Sequence, residues 1–283
     1  MSDVTTVGID LAKQVFSLHG VDGAGREVLR RTVRREQLLG CVAQLPACLI
    51  GLEACSGAHD WARQFMALGH TVRLMAPKFV IPYRKSGKND GNDAQAICEA
   101  VGRPSMRFIP VKSVEQQAVL SLHRVRQGFV EERTATINRI RGLLAEFGHV
   151  LPQRAVEVRR RLPGLLEQLP ALAARALRDL QAHVYYLEQH ILDYEAELGR
   201  LARGDTRVQR LRALYGVGPL SASAIVASVG NAHEYVHRVV RRHLGASSNR
   251  SAKPSRASPM KMRSSLSGTR TTSMLCCVAS RVT

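Results

Sequence analysis

Along the first hundred residues, short apolar runs alternate with segments of helical period. Val4 to Ile9 and Val15 to Val21 are apolar, β-branched runs, and Asp22-Gly23 supplies turn chemistry before a third run, Glu27 to Val33. These three predict an antiparallel meander. Arg35 to Leu45 reads as a helix, Cys48 to Leu52 as a short buried strand, Ala58 to Leu68 as a second helix and Thr71 to Ala76 as a further strand. Strands that follow helices imply parallel crossovers, so the sheet is expected to be mixed.

A meander followed by βαβ units is the ribonuclease-H-like α/β plan. Beyond it the period changes: Val119, Leu122, Val125, Phe129, Ile137, Ile140 and Leu144 fall at helical spacing and predict one long helix over Val114 to Phe147. Pro152, Pro163 and Pro170 read as punctuation. A second long helix follows, with Leu172, Ala176, Leu180, Val184, Leu187, Ile191, Tyr194, Leu198 and Leu201 forming a seam close to a coiled-coil heptad. Such a seam needs a partner, either the first long helix folded back or the same helix of a second copy, which would make a homo-oligomer.

Charge changes the picture next. The 283 residues are 45% hydrophobic and 23% charged, a globular composition, yet Lys and Arg number 41 against 23 Asp and Glu, a formal net charge of +18. That balance disfavours an enzyme of acidic small molecules and points to a polyanionic partner. The excess is uneven: residues 236–283 hold eight Arg, two Lys and ten Ser with no acidic residue, so this tail carries +10 of the total. With so little to bury, it is expected to be disordered. No run approaches a membrane span and Met1 to Asp10 lacks a signal-peptide layout, so a cytoplasmic, nucleoid-associated protein with no membrane partner is expected. The six cysteines (Cys41, Cys48, Cys55, Cys98, Cys276, Cys277) form no C-x-x-C pair and read as reduced thiols.

Candidate chemistry lies in three short segments. Asp10 ends the first strand in Val7-Gly8-Ile9-Asp10, and Glu53 ends a later one in Ile50-Gly51-Leu52-Glu53. A carboxylate at the tip of a buried strand is costly unless it meets a cation. In Lys88-Asn89-Asp90-Gly91-Asn92-Asp93, the two aspartates are three apart and share one face at the start of a helix. Each acid alone reads equally well as a first-turn helix residue. Together they offer four hard oxygen donors of the kind Mg²⁺ or Mn²⁺ prefers. Two such ions, about 3.5–4 Å apart, activate the attacking oxygen and stabilise the leaving one in phosphodiester displacement.

These three segments, with Leu11-Ala12-Lys13 after the first and Ala54-Cys55-Ser56-Gly57 after the second, resemble the N-terminal DEDD domain of transposases of the insertion-sequence 110 family, including its eleven-eleven subgroup. That domain is similar to the RuvC junction-resolvase fold. The resemblance implies Asp10, Glu53, Asp90 and Asp93 as both the catalytic and the Mg²⁺-binding (or Mn²⁺-binding) acids. Further on, Leu214-Tyr215-Gly216-Val217-Gly218-Pro219 and the following Leu220 to Ile225 resemble the helix-hairpin-helix-like opening of the family's second domain. There, Gly216 and Gly218 would let backbone amides approach a phosphate. Lys88, Arg126 and Arg133 are the basic side chains expected to join them on nucleic acid. The implied partners are DNA, as element ends and target, and a structured guide RNA from the element.

Past Asn231 the resemblance stops. The family's Ser-Ser-Gly-Gly motif, whose serine is implicated as a nucleophile, is absent: Ser247 and Ser248 are followed by Asn249 and Arg250. A reading frame shifted near Tyr235 is the simplest account, and a divergent basic arm the rival one. The expected organisation is a RuvC-like domain over residues 1–110, long helices over 111–204, the helix-hairpin-helix-like start over 205–235 and the basic tail over 236–283. The expected function is metal-dependent DNA cleavage and strand transfer, with the C-terminal catalytic part missing. Three other readings stay open: a RuvC-like junction-resolving nuclease, a non-enzymatic nucleic-acid-binding remnant, and a sugar-kinase or actin-like ATPase. The last expects Gly-Thr or Gly-Ser after the first acid, where Leu11-Ala12-Lys13 stands.

Overall fold

A computed structural model describes residues 4–84 and 90–229, apart from the side chain of Asp90. Lys88, the tail over 236–283, and Cys276 and Cys277 lie outside the described residues. The chain divides into two compact units, one ending at Ser113 and one beginning at Val114.

The first unit is a six-stranded mixed sheet with helices. Its elements are β1 (Thr6–Asp10), β2 (Val15–Val21), β3 (Glu27–Arg34), α1 (Arg35–Ala43), β4 (Leu49–Glu53), α2 (Ala58–Ala67), β5 (Thr71–Met75), α3 (Pro77–Val80), a 3₁₀ turn (Ile81–Tyr83), α4 (Asp90–Val101) and β6 (Phe108–Ile109). The strand order is β3-β2-β1-β4-β5-β6. The meander β1-β2-β3 is antiparallel, β1 and β4 are parallel, β4 and β5 are parallel, and β6 returns antiparallel to β5. This mixed sheet with surrounding helices fits the ribonuclease-H-like plan. Two elements lacked a sequence signal: β6, two residues long, and the short α3, which a proline opens.

Burial follows from the apolar runs. Val7, Ile9, Phe16, Leu18, Ile50, Leu52 and Leu74 form a core with Trp61 and Phe65 of α2, and a second cluster under α4 holds Met75, Val80, Ile97 and Val101.

The second unit contains α5 (Val114–Glu146), α6 (Ala155–Leu166), α7 (Ala171–Gly204), α8 (Thr206–Arg212) and α9 (Pro219–Val229). The two long helices run antiparallel against each other: Arg126 pairs with Glu195, Phe129 stacks on His190, and Glu132 meets His183. The α7 seam is therefore covered by α5 from Val184 onward, where Val184, Leu187, Ile191 and Leu198 are buried. Upstream the expected seam is corrected. Leu172 is 83% exposed, and Ala174 and Leu177 are the buried positions instead. Three successive four-residue steps from Leu172 to Val184 rotate the position by about 120° around the helix, which carries Leu172 off the buried face.

A second correction concerns Pro163, which lies inside α6 instead of separating elements. A proline in a helix interior costs about 3 kcal/mol. Here Val158, Leu162 and Leu166, at helical spacing on both sides of it, are buried among Ile137, Ile140 and Leu144 and offset that cost.

Candidate functional site

The parallel pairing of β1 and β4 sets the site. Gly8 is the register partner of Gly51 and Ile9 that of Leu52, so Asp10 and Glu53, the next residues, end their strands side by side. Side chains alternate along a strand, so Gly8 and Asp10 address one face of the sheet, as do Gly51 and Glu53.

That face is the one α4 covers. A Cβ on Gly8 would lie 2.2 Å from the Ala94 carbonyl oxygen and 2.3 Å from the Cys98 nitrogen, and one on Gly51 would lie 2.8 Å from the Val101 Cβ. The paired glycines thus form a floor for α4, Gly8 against its backbone and Gly51 against its Ile97 and Val101 side chains. Seated this low, α4 brings its first turn to the end of the sheet where the two strand-tip acids stand. Asp90 opens that helix and Asp93 follows one turn on.

The carboxylates meet around a residue that sequence reading missed. Arg84, just after the 3₁₀ turn, donates from Nε to Asp93 Oδ1 at 3.0 Å and contacts Glu53 Oε2 at 3.3 Å through its terminal nitrogen. One guanidinium therefore joins an acid of β4 to an acid of α4. Both acids are partly buried, with side chains 17% and 19% exposed, while Arg84 is more open at 38%. Only chain tracing could find this arginine, because it is 31 residues from one partner and lies in none of the three acid-bearing segments.

Cys55 reports where Asp10 stands. Desolvation, then the charges of Glu53 and Asp10, push the Cys55 thiol above its ordinary value, so both acids lie within electrostatic reach of one sulfur. Its thiol contacts the Leu11 carbonyl at 3.9 Å. A thiol held protonated by neighbouring negative charge is a poor nucleophile. Cys48 and Cys98 are pushed up to about 11 by burial and are structural.

The donor chemistry fits a hard divalent cation, since Asp10, Glu53 and Asp93 offer carboxylate oxygens at one sheet end and a positive group already sits between two of them. Among the described residues, no three His, Cys, Asp or Glu side chains are yet close enough together to hold a metal ion.

The remaining candidates are scattered through the second unit. Arg126 donates from Nε to Glu195 Oε1 at 2.9 Å, making an interhelical tie. Arg133 has no ion pair among the described residues and is half-buried on α5. Gly216, at φ +81°, turns the chain between α8 and α9, a conformation that favours glycine, and Gly218 lies exposed just before α9. Behind that turn Val208, Leu211 and Ala222 are buried with Ala202. No described helix is long and apolar enough to cross a membrane.

Comparison with known proteins identifies the family. Residues 7–149 match the IS110-type DEDD family described as "Transposase". The chain is similar to a "Probable family 20 transposase" of Pseudomonas aeruginosa, 49% identical over 82% of this chain and 70% of that protein. It is 42% identical to the "Transposase for insertion sequence element IS1111A" of Coxiella burnetii, over 84% of this chain and 66% of that one. It is 40% identical to the "Transposase for insertion sequence element IS1328" of Yersinia enterocolitica, over 83% and 71% respectively. With the family pattern spanning half of the chain, and with relatives matched over most of it, this protein belongs to the IS110-type DEDD transposase family.

Proposed function

We propose that this chain is an insertion-sequence DNA transposase whose first unit performs divalent-metal-dependent cleavage and transfer of DNA strands. The observation that carries the reading is that Asp10 and Glu53 end paired strands side by side, while Glu53 shares one guanidinium with Asp93. Asp10, Glu53, Asp90 and Asp93 would hold Mg²⁺ or Mn²⁺, which when bound supplies activation of an attacking oxygen and stabilisation of the leaving one. The chain's own part is to fix these acids on rigid elements. Asp10 and Glu53 are locked by strand pairing, and Asp93 by a helix seated on Gly8 and Gly51.

In the second unit the α8–α9 turn at Gly216 and Gly218 is proposed to approach phosphates through backbone amides, with Arg133 adding charge; Lys88, in the sequence of the first unit, is proposed separately as a nucleic-acid-binding residue. DNA ends and target are the proposed partners, with a guide RNA of the element. Residues 236–283 are proposed to be foreign to the family on their composition, and translation of the gene in its other two frames checks it: a Ser-Ser-Gly-Gly motif after position 235 is expected.

Calorimetric titration with Mn²⁺ tests the metal site. Binding is expected in the wild-type chain and is expected to weaken at least about tenfold, or about 1.4 kcal/mol, in Asp10→Asn and in Asp93→Asn. Equal binding in all three proteins would overturn the assignment.

A further inference from the structure

Arg84 stands where the acids converge, and its placement has a consequence for how the site is loaded. Its guanidinium touches Asp93 at 3.0 Å and Glu53 at 3.3 Å. Among the described residues it is the cation with which either acid is paired. It arrives on a separate segment, the stretch after the 3₁₀ turn, with its backbone nitrogen tied to the Ile81 carbonyl at 3.1 Å. Two partly buried carboxylates that share one cation repel each other, and a positive charge between them offsets that repulsion. A planar guanidinium with five donors supplies that charge in two-pronged fashion.

We propose that Arg84 is a resident counter-ion that holds Glu53 and Asp93 together in the metal-free protein and competes with a divalent cation for them. This rests on the metal reading given above. A dication ligated by these carboxylates would sit within a few ångströms of the guanidinium, and the two positive charges repel at that range, so each weakens the other's hold on the acids. Metal and Arg84 are therefore competitors for one pair of carboxylates. Arg84 is the most open of the three side chains, at 38% exposure, and lies on neither β4 nor α4.

The test uses the full chain and reads binding and stability, independently of catalysis. Free Mn²⁺ is followed by electron paramagnetic resonance during titration, and thermal melting is recorded in chelator and in saturating Mn²⁺. Arg84→Gln is expected to bind Mn²⁺ at least tenfold more tightly than wild type. It is also expected to melt at a lower temperature in chelator and to gain more from added Mn²⁺. A variant that merely folds badly would lose on both readouts, whereas competition moves them in opposite directions.

Arg103→Gln is the electrostatic control, since it removes the same charge from an exposed pair with Glu99 at the far end of α4. It is expected to change Mn²⁺ affinity less than twofold. Arg84→Lys keeps the charge but loses the two-pronged grip and is expected to fall between wild type and Arg84→Gln. If wild type binds Mn²⁺ and Arg84→Gln binds it equally or more weakly, the competition is overturned while the metal site stands. An equal gain in Arg103→Gln overturns it as well, leaving only a long-range charge effect. If neither wild type nor Arg84→Gln binds Mn²⁺, the metal reading itself falls.

Discussion

In the α/β unit the carboxylates of Glu53 and Asp93 converge on a single arginine, whereas in the helical unit arginines and carboxylates are matched along and across the helices. Glu157 there is held by both Arg160 and Arg161, Glu197 by Arg200, Asp205 by Arg207, Glu188 by Arg159 and Glu195 by Arg126. Hydrogen bonds and charge from these arginines hold the carboxyls of Glu157, Glu197 and Asp205 below their ordinary values. Most of these pairs are solvent-exposed and contribute little, of the order of 0–1 kcal/mol each. They do determine which cations remain for a polyanion. A basic composition therefore overstates the free positive surface of the helices. The α/β unit has matched pairs too, Arg26 with Asp22 and Arg103 with Glu99 among them, but at its acid site the opposite holds, because one cation is shared by two acids.

The comparison is broken most severely at the glycine floor. Gly8→Ala would drive a Cβ into the α4 backbone, at 2.2 Å from the Ala94 carbonyl oxygen, and backbone atoms cannot rotate away. The expected loss is about 3 kcal/mol or more, the upper end for overpacking, with Asp93 displaced from Glu53. Gly40→Ala on α1 is the counterpart: a Cβ there meets nothing within 4 Å, and the same substitution is expected to stabilise by about 0.5–1 kcal/mol. Urea melts of both variants check the contrast. Equal effects would mean that α4 does not sit on Gly8.

The glycine floor also shows how far the sequence could be read. Strand boundaries came out within a residue or two because β1, β2 and β4 are short apolar runs with turn signals between them. The acids were visible as strand tips, and both strands carry the same order of apolar residue, glycine, apolar residue and acid. Arg84 was not visible, because its role arises from a return of the chain after β5 that no local period encodes. In the second unit the seam was traced from spacing, but spacing alone does not say when steps of four accumulate into rotation. Pro163 failed as punctuation because burial on both sides of it outweighed a local rule.

A smaller effect separates two arginines that composition treats alike. Arg126, tied to Glu195 and half-buried, is expected to matter for stability, with Arg126→Gln costing about 1 kcal/mol, discounted for its exposure. Arg133, without an ion pair among the described residues, is expected to matter for binding. Arg133→Gln should reduce the slope of log affinity against log salt by about 1 for a DNA duplex while leaving the melting temperature unchanged. Fluorescence anisotropy across a salt series, paired with thermal melts, distinguishes the two. The comparison between units loses its meaning if Arg126→Gln lowers the slope as much as Arg133→Gln does.

The finest test is a titration within the helical unit. His123 of α5 shares a 3.2 Å hydrogen bond with Ser223 of α9, and burial first, then the neighbouring Arg126 charge, lower its pKa from the ordinary 6.5. The folded protein thus favours the neutral ring more strongly than the unfolded chain does. Above pH 6.5 both states carry neutral His123 and stability does not depend on it. As pH falls below 6.5 the unfolded chain takes up a proton that the folded one resists, so stability declines with falling pH until the folded ring also protonates. Other groups contribute to the pH dependence as well, so the informative quantity is the difference between variants. His123→Gln removes the titrating ring and is expected to flatten the decline between pH 6.5 and 5 by a fraction of a kcal/mol. Denaturant midpoints measured at half-unit pH steps for both proteins supply that difference. Parallel pH profiles would show that the His123–Ser223 contact tolerates a charged ring, and that α9 is held to α5 by apolar packing alone.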